Sequence, residues 1–312
     1  MGPDVSGTDA AATLSAVLTP AFLRKLDRLR LTVRRSVSTR PGNTPMPRGA
    51  QGSGIELENY KAYGAGDDLR HLDWNAYGRL DQLLIKTFRA ERETPLHIFL
   101  DTSASMAAPA SDAKLPFTIG LAASLSYVSL RNHDPVRVVG LNEALPDTHV
   151  ASPFFRHPQA LHGLCDFLRQ LQSRGQTALA PGITAALRAH RSAGVGIVIS
   201  DFLMQPSLYE AALSDLAARR FTVGAVRVIG PGERDPAAVF RRGQLLDAET
   251  GKRRFITLGA ENRRRYREAL DAHLGRLKSF CHRSGIVFSV ADTGAGLDRS
   301  LFHDLPAAGL VH

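Results

Sequence analysis

The run His97-Ile98-Phe99-Leu100-Asp101-Thr102-Ser103-Ala104-Ser105-Met106 decides how this chain is read. A short apolar segment ends in a carboxylate, Asp101, and hydroxyls follow at alternate positions, Ser103 and Ser105. A helical pattern then runs from about Leu115 to Arg131, with Phe117, Leu121, Leu125 and Val128 on its inner face. A buried strand that opens into a polar loop and then a helix is where open α/β sheets place their ligand sites. Alternate side chains of an extended segment point the same way, so the three oxygens can converge on one point. Hard oxygen donors of this kind suit Mg²⁺ or Mn²⁺ rather than zinc.

Working outward, the segments after this run alternate between strand and helix. Val136 to Gly140 reads as a strand, His149 to Ala151 as a short one, and Pro158 to Leu171 as a helix with Leu161, Leu164, Cys165, Phe167 and Leu168 inward. Val195-Gly196-Ile197-Val198-Ile199 is a near-continuous apolar run, the pattern of a strand buried on both faces. It ends in Ser200-Asp201. An acid at the tip of a second central strand shares the sheet edge with Asp101, so Asp201 is a second candidate carboxylate, binding an ion directly or through water. A helix over Ser207–Arg219, a strand over 221–228, a long helix from about Glu261 to Arg283 and a last strand over 286–290 complete the series. Val239-Phe240 and Phe255-Ile256 flank a hairpin over Asp247-Ala248-Glu249-Thr250-Gly251, an insertion near residues 238–256. The alternation predicts an α/β fold: an open, mostly parallel sheet with helices on both faces and right-handed crossovers.

Composition sets the outer bounds. The chain has 312 residues, 44% hydrophobic and 22% charged, ordinary for a globular protein with a sizeable core. No apolar run approaches the roughly 20 residues of a membrane span, and no secretory signal pattern opens the chain. Cys165 and Cys281 are the two cysteines, too few for a disulfide framework, so a reducing cytoplasm is the expected location. The formal net charge is +9, much of it in arginine clusters such as Arg241-Arg242 and Arg263-Arg264-Arg265. Such a surface can hold nucleic acid or an anionic surface, but no nucleic-acid motif accompanies it, and solvated basic faces are the simpler reading.

The N-terminal third is less regular. Residues 1 to about 12 read as disordered, and Leu14 to Arg35 as a helix with Thr19-Pro20 suited to an N-cap and first turn. Residues 36–55 read as loop. The passage from Glu56 to Glu93 is dense in charge: Tyr63, Asp67, Asp68, Arg70, Asp73, Trp74 and Arg79 crowd together. The expectation is a structural network in which Glu56, the aspartates and the arginines pair, anchored by burial of Trp74. An active site built on Asp67, Asp68 and Asp73 is the alternative. The division expected is an N-terminal extension over 1–95 and a main domain over 96–312.

Here the chain resembles a known family. Gly52-x-Gly54-x-Glu56, then Lys61-x-Tyr63-x-x-Gly66-Asp67-Asp68-x-Arg70-x-Leu72-Asp73-Trp74, Arg79, Phe88-x-x-Glu91-Arg92-Glu93 and Asp101-x-Ser103-x-Ser105-Met106 together are similar to the domain-of-unknown-function family fifty-eight. These are bacterial proteins with a von Willebrand factor A-like domain. Lys61 stands where the family usually has Arg, and Leu57 where it often has Phe. Many relatives also carry N-terminal transmembrane helices, which this sequence does not display. The resemblance implies a metal-ion-dependent adhesion site in which Asp101, Ser103 and Ser105 are joined by a distant Thr and Asp. Thr177, in the loop Gly175-Gln176-Thr177, and Asp201 match those places. It further implies a non-enzymatic, Mg²⁺- or Mn²⁺-dependent module. Such a module binds an acidic residue of a client and works with a MoxR-type AAA+ ATPase. Catalysis is not expected: position 103 is Ser where an Asp-based phosphoryl transfer would want a second acid, and no G-x-S-x-G elbow is present.

Overall fold

The computed structural model describes residues 6–32, 55–64, 69, 72–90, 93–188, 194–236, 242–257 and 259–312. The chain separates into two compact units, Met1–Arg34 with Thr94–His312, and Arg35–Glu93.

In the larger unit, helices α1 (Ser6–Val17) and α2 (Pro20–Leu26) precede the sheet. One helix was expected over 14–35, beginning after a disordered tail. Helix in fact starts at Ser6 and breaks before Pro20, whose ring cannot continue the first helix but suits the first turn of the second. These helices also belong with the main domain rather than with an N-terminal extension. Leu14, Val17 and Leu26 are buried in the main core, and Leu31 pairs with Val311.

The smaller unit pairs β1 (Ile55–Ala62) with β2 (Leu84–Ala90) antiparallel, with α3 (Trp74–Leu80) between them in sequence. The loop expected over 36–55 lies outside the described residues except for Ile55, which opens β1.

The main sheet has six strands: β3 (Leu96–Asp101), β4 (Val136–Leu141), β5 (His149–Ala151), β6 (Val195–Ser200) and β7 (Thr222–Ile229), with β10 (Val287–Asp292) last in sequence. A separate two-stranded hairpin, β8 (Arg242–Leu246) and β9 (Arg253–Thr257), lies between β7 and β10 in the chain. The spatial order is β10-β7-β6-β3-β4-β5, parallel except for the edge strand β5. The order reverses between β3 and β6, which makes the crevice beyond their carboxyl ends the topological switch point. The expected α/β architecture is the one observed.

Helices cover both faces. Leu96, Ile98 and Leu100 of β3 point into one core cluster with α4 (Lys114–Arg131) and α5 (Leu161–Arg169). Phe99 points into the other, with α6 (Leu179–Arg188), α7 (Pro206–Ala218) and the buried end of α8 (Ala260–Arg283). The sequence marked one inward face on α4, yet nearly the whole helix is buried, because α1 covers its outer side. Gly120 permits the approach: a Cβ there would lie 2.6 Å from Thr13 Cγ2. By length and composition Ala110–Arg131 could cross a membrane, but 89% of its apolar window is buried inside the fold. Cys165 and Cys281 are buried core fillers, their thiols pushed up by burial to about 11 and about 12.

Candidate metal centre

Strand register builds the site. Phe99, Val198 and Ala225 form one apolar row across β3, β6 and β7. Two residues on, at the strand tips, the same face carries Asp101, Ser200 and Arg227, all fully buried. A layer of apolar side chains therefore ends in a layer of polar ones at the carboxyl edge.

Asp101 is the hub. Its Oδ1 accepts the Ser103 N–H at 3.0 Å. Its Oδ2 accepts hydroxyls from Thr177 at 2.9 Å and Ser200 at 2.6 Å. Ser103 and Ser105 join through their hydroxyls at 2.9 Å. Thr177 reaches Asp101 because its loop is tied to the one after β3. Arg174 N–H donates to Thr102 O, Ala104 N–H to Gly175 O, and Glu143 N–H to Gln176 O, each at 2.9 Å. Asn142 fastens the same loop from β4's end, donating to the Thr102 hydroxyl at 2.9 Å.

Asp201 lies across the crevice. Its Oδ1 accepts the Leu203 N–H at 3.1 Å, and its Oδ2 pairs with Lys114 Nζ at 2.8 Å. Lys114 also meets Glu233 at 3.2 Å, and Glu233 meets Arg227 at 2.9 Å. Arg227 Nε donates to the Asp201 carbonyl at 3.2 Å. Asp112 anchors this network from below by accepting the Gly232 and Glu233 N–H groups at 2.8 and 3.0 Å. All five charged side chains are buried. Burial works to lower the Lys114 ammonium, but the Asp201 and Glu233 carboxylates outweigh it and hold its pKa above the ordinary value. Burial, and then the nearby Asp201 carboxylate, push Asp101 upward. Burial does the same to Glu233 against the pull of Lys114.

Of the five oxygens picked from sequence, Asp101, Ser103, Ser105 and Thr177 form one connected cluster. Asp201 stands close enough for its charge to be felt at Asp101. Among the described residues no three His, Cys, Asp or Glu side chains form a ligand set; the donors here are mainly hydroxyls. A hard cation fits that chemistry, with Asp101, Ser103, Ser105 and Thr177 as the residues to hold it. Asp201 stands outside that cluster, its Oδ1 accepting the Leu203 N–H and its Oδ2 paired with Lys114. Sequence reading missed Ser200, Lys114, Arg227, Glu233 and Asp112. A signal existed for one of them: Arg227 is a lone charge inside the apolar run Val223–Ile229, and an arginine there is buried only if paired.

The charged network expected in the Glu56–Glu93 passage is only partly described. Asp67, Asp68 and Arg70 lie outside the described residues, as does the Glu56 side chain. Asp73 is buried and caps α3, accepting the Asn75 and Ala76 N–H groups at 3.0 and 3.1 Å and the Tyr60 hydroxyl at 3.0 Å. Tyr63 is half-buried, its N–H on Leu83 O, and Arg79 is exposed. Trp74 is not the buried anchor expected. It is 67% exposed and meets Tyr77 edge-on at 6.5 Å. The cap turns Asp73 inward, and Trp74, first in a seven-residue helix with no buried residue, is carried outward.

The basic stretch on α8 is largely paired: Arg264 and Arg265 each meet Glu261 at 2.8 Å, and Arg263 meets Asp235 at 3.3 Å.

An uncharacterized protein of Mycobacterium tuberculosis is 26% identical over 225 residues, covering 71% of this chain and 69% of its own. The solved structure of a conserved hypothetical protein, BatB of Bacteroides thetaiotaomicron, matches at 16% identity with a TM-score of 0.37, covering 61% of this chain and 99% of that one. A von Willebrand factor type A structure from Catenulispora acidiphila matches at 15% identity with a TM-score of 0.31, covering 67% of this chain and 40% of its own. The family model described as "protein of unknown function DUF58" matches residues 59–292, and the chain belongs to that family.

Proposed function

We propose that this chain is a protein-binding module that recognises an acidic residue of its partner through a divalent cation, Mg²⁺ or Mn²⁺, and breaks no bond. The observation that supports this most is the convergence of Asp101, Ser103, Ser105 and Thr177 on one point at the switch of the sheet, with Asp201 facing them. When bound, the cation supplies a positive centre with an open coordination position for an external carboxylate. Asp101 brings the charge, and the serine and threonine hydroxyls bring neutral oxygens. The Lys114–Asp201–Glu233–Arg227 network holds the second side of the crevice rigid. Family resemblance adds the partner class: a MoxR-type AAA+ ATPase in the cytoplasm, acting with this module on client proteins.

Calorimetry with Mn²⁺ and Mg²⁺ tests the reading. Asp101→Ala should abolish binding while leaving the circular dichroism spectrum and cooperative melt in place. Unchanged metal affinity in that variant would refute the site. Affinity capture with and without EDTA, expected to recover an AAA+ ATPase only when the cation is present, tests the partner.

A further inference from the structure

We propose that the exposed face of the β8–β9 hairpin is a docking surface for single-stranded nucleic acid, with Phe255 as the platform on which a base stacks and Arg242 and Arg253 as the groups that hold phosphates. None of these residues belongs to the strand-tip site, and the proposal does not depend on a bound cation.

Strand register builds the face. Arg242 stands opposite Thr257, Gln244 opposite Phe255 and Leu246 opposite Arg253. Directly opposed residues of an antiparallel pair point the same way, so these six side chains share one side of the ribbon. All six are exposed. Leu246 is 57% exposed and Phe255 65%, although both are large and apolar. Ile256, on the other side of the ribbon, is partly buried. The Arg242 guanidinium lies over the Phe255 ring, 5.7 Å from its centroid.

The basic clusters of the chain divide at this point. On α8, Arg264 and Arg265 are paired with Glu261, and Arg263 with Asp235. On the hairpin, Arg242, Lys252, Arg253 and Arg254 have no carboxylate within ion-pair reach among the described residues. The two acids of the hairpin, Asp247 and Glu249, sit in its turn. Asp247 there accepts the Glu249 and Thr250 N–H groups at 3.0 and 2.9 Å. The face itself therefore offers unpaired positive charge around an open aromatic ring.

Those features select the partner. Phosphates complement unpaired guanidinium groups. Unstacked bases lie on aromatic rings and guanidinium planes, and the Arg242–Phe255 pair presents both. From Arg242 to Leu246 the face spans about 13 Å, the length of roughly four stacked nucleotides. A duplex keeps its bases stacked on one another and leaves Phe255 nothing to receive. An anionic bilayer fits less well, because it would repel the acidic turn at the end of the hairpin and gain only Phe255 and Leu246 as apolar contacts.

Fluorescence anisotropy of a labelled oligothymidylate, titrated with the full chain in EDTA across a series of salt concentrations, provides the test. EDTA keeps the candidate metal centre out of the measurement. Phe255→Ala should weaken binding roughly tenfold at an unchanged salt slope, and Phe255→Trp should retain it. Arg253→Ala should lower the slope of log affinity against log salt by about 0.7. Arg264→Ala removes the same charge from the paired cluster on α8 and should leave binding as it is. These exposed positions should leave the thermal melt unchanged. No binding by the parent chain at low salt, equal binding by Phe255→Ala, or equal loss in Arg264→Ala would overturn the proposal. Phosphatidylserine vesicles bound through Phe255 in place of the oligonucleotide would assign the face to a membrane and overturn it as well.

Discussion

The two compact units put their side chains to opposite use. In the larger one, Lys114, Asp201, Arg227 and Glu233 are all buried, though each carries a charge. In the smaller one, Trp74, Tyr77, Leu80 and Leu83 are exposed, though each is large and apolar. Residue type would predict the reverse in both. The difference lies in depth. A six-stranded sheet with helices on both faces has an interior, and its strand tips can enclose a paired network. Among the described residues of the smaller unit, two strands and a seven-residue helix enclose almost none, and Trp74 stands at their surface. Asp73 and Asp101 make the same point. Both accept backbone N–H groups from the residues that follow, and Asp73 in doing so caps α3 and takes the Tyr60 hydroxyl, 13 residues away. Asp101 collects two hydroxyls from loops and strands far along the chain.

The contrast can be broken by substitution. The largest effect is expected at Lys114. Lys114→Met strips two buried carboxylates of their shared cation and should cost about 3–5 kcal/mol, read by denaturant unfolding. The pH dependence carries the sign. The folded pKa of Lys114 is raised above 10.5, so its contribution is fully present below pH 10.5 and is lost as the pH climbs through the raised value. The variant should therefore lose the alkaline fall in stability that this lysine causes. A cost near zero would show the network to be dispensable.

A smaller effect is expected from Asp73→Ala, about 1–2 kcal/mol from the lost helix cap. It should appear as faster amide exchange over residues 74–81, with Mn²⁺ binding unchanged. Loss of metal binding in this variant would mean that the two units do not work separately. The smallest effect is expected at Trp74: Trp74→Ala should shift stability by no more than about 0.5 kcal/mol, as for other exposed positions. A drop of about 3–5 kcal/mol, the cost of emptying a buried aromatic site, would show that something covers it.

Much of the fold was legible because it is written in periodicity. The apolar runs at Leu96–Leu100 and Val195–Ile199 mark strands buried on both faces, and the acids that end them mark the sheet edge. The break before Pro20 was missed although its cause, the proline, stood in the sequence. Trp74 was misjudged because hydrophobicity says what a residue prefers, and the preference is met only where enough layers exist to bury it.

Residue order by itself determined the alternating elements, the two strand-tip aspartates and the hydroxyls two and four positions beyond the first. Which charges would meet was decided only by the tertiary structure. Lys114 lies 87 residues from Asp201 and 119 from Glu233 along the chain, yet its ammonium meets both carboxylates. Local pattern constrains side chains a few residues apart. Contacts across such distances follow from strand register and crossover, which exist only once the sheet has formed.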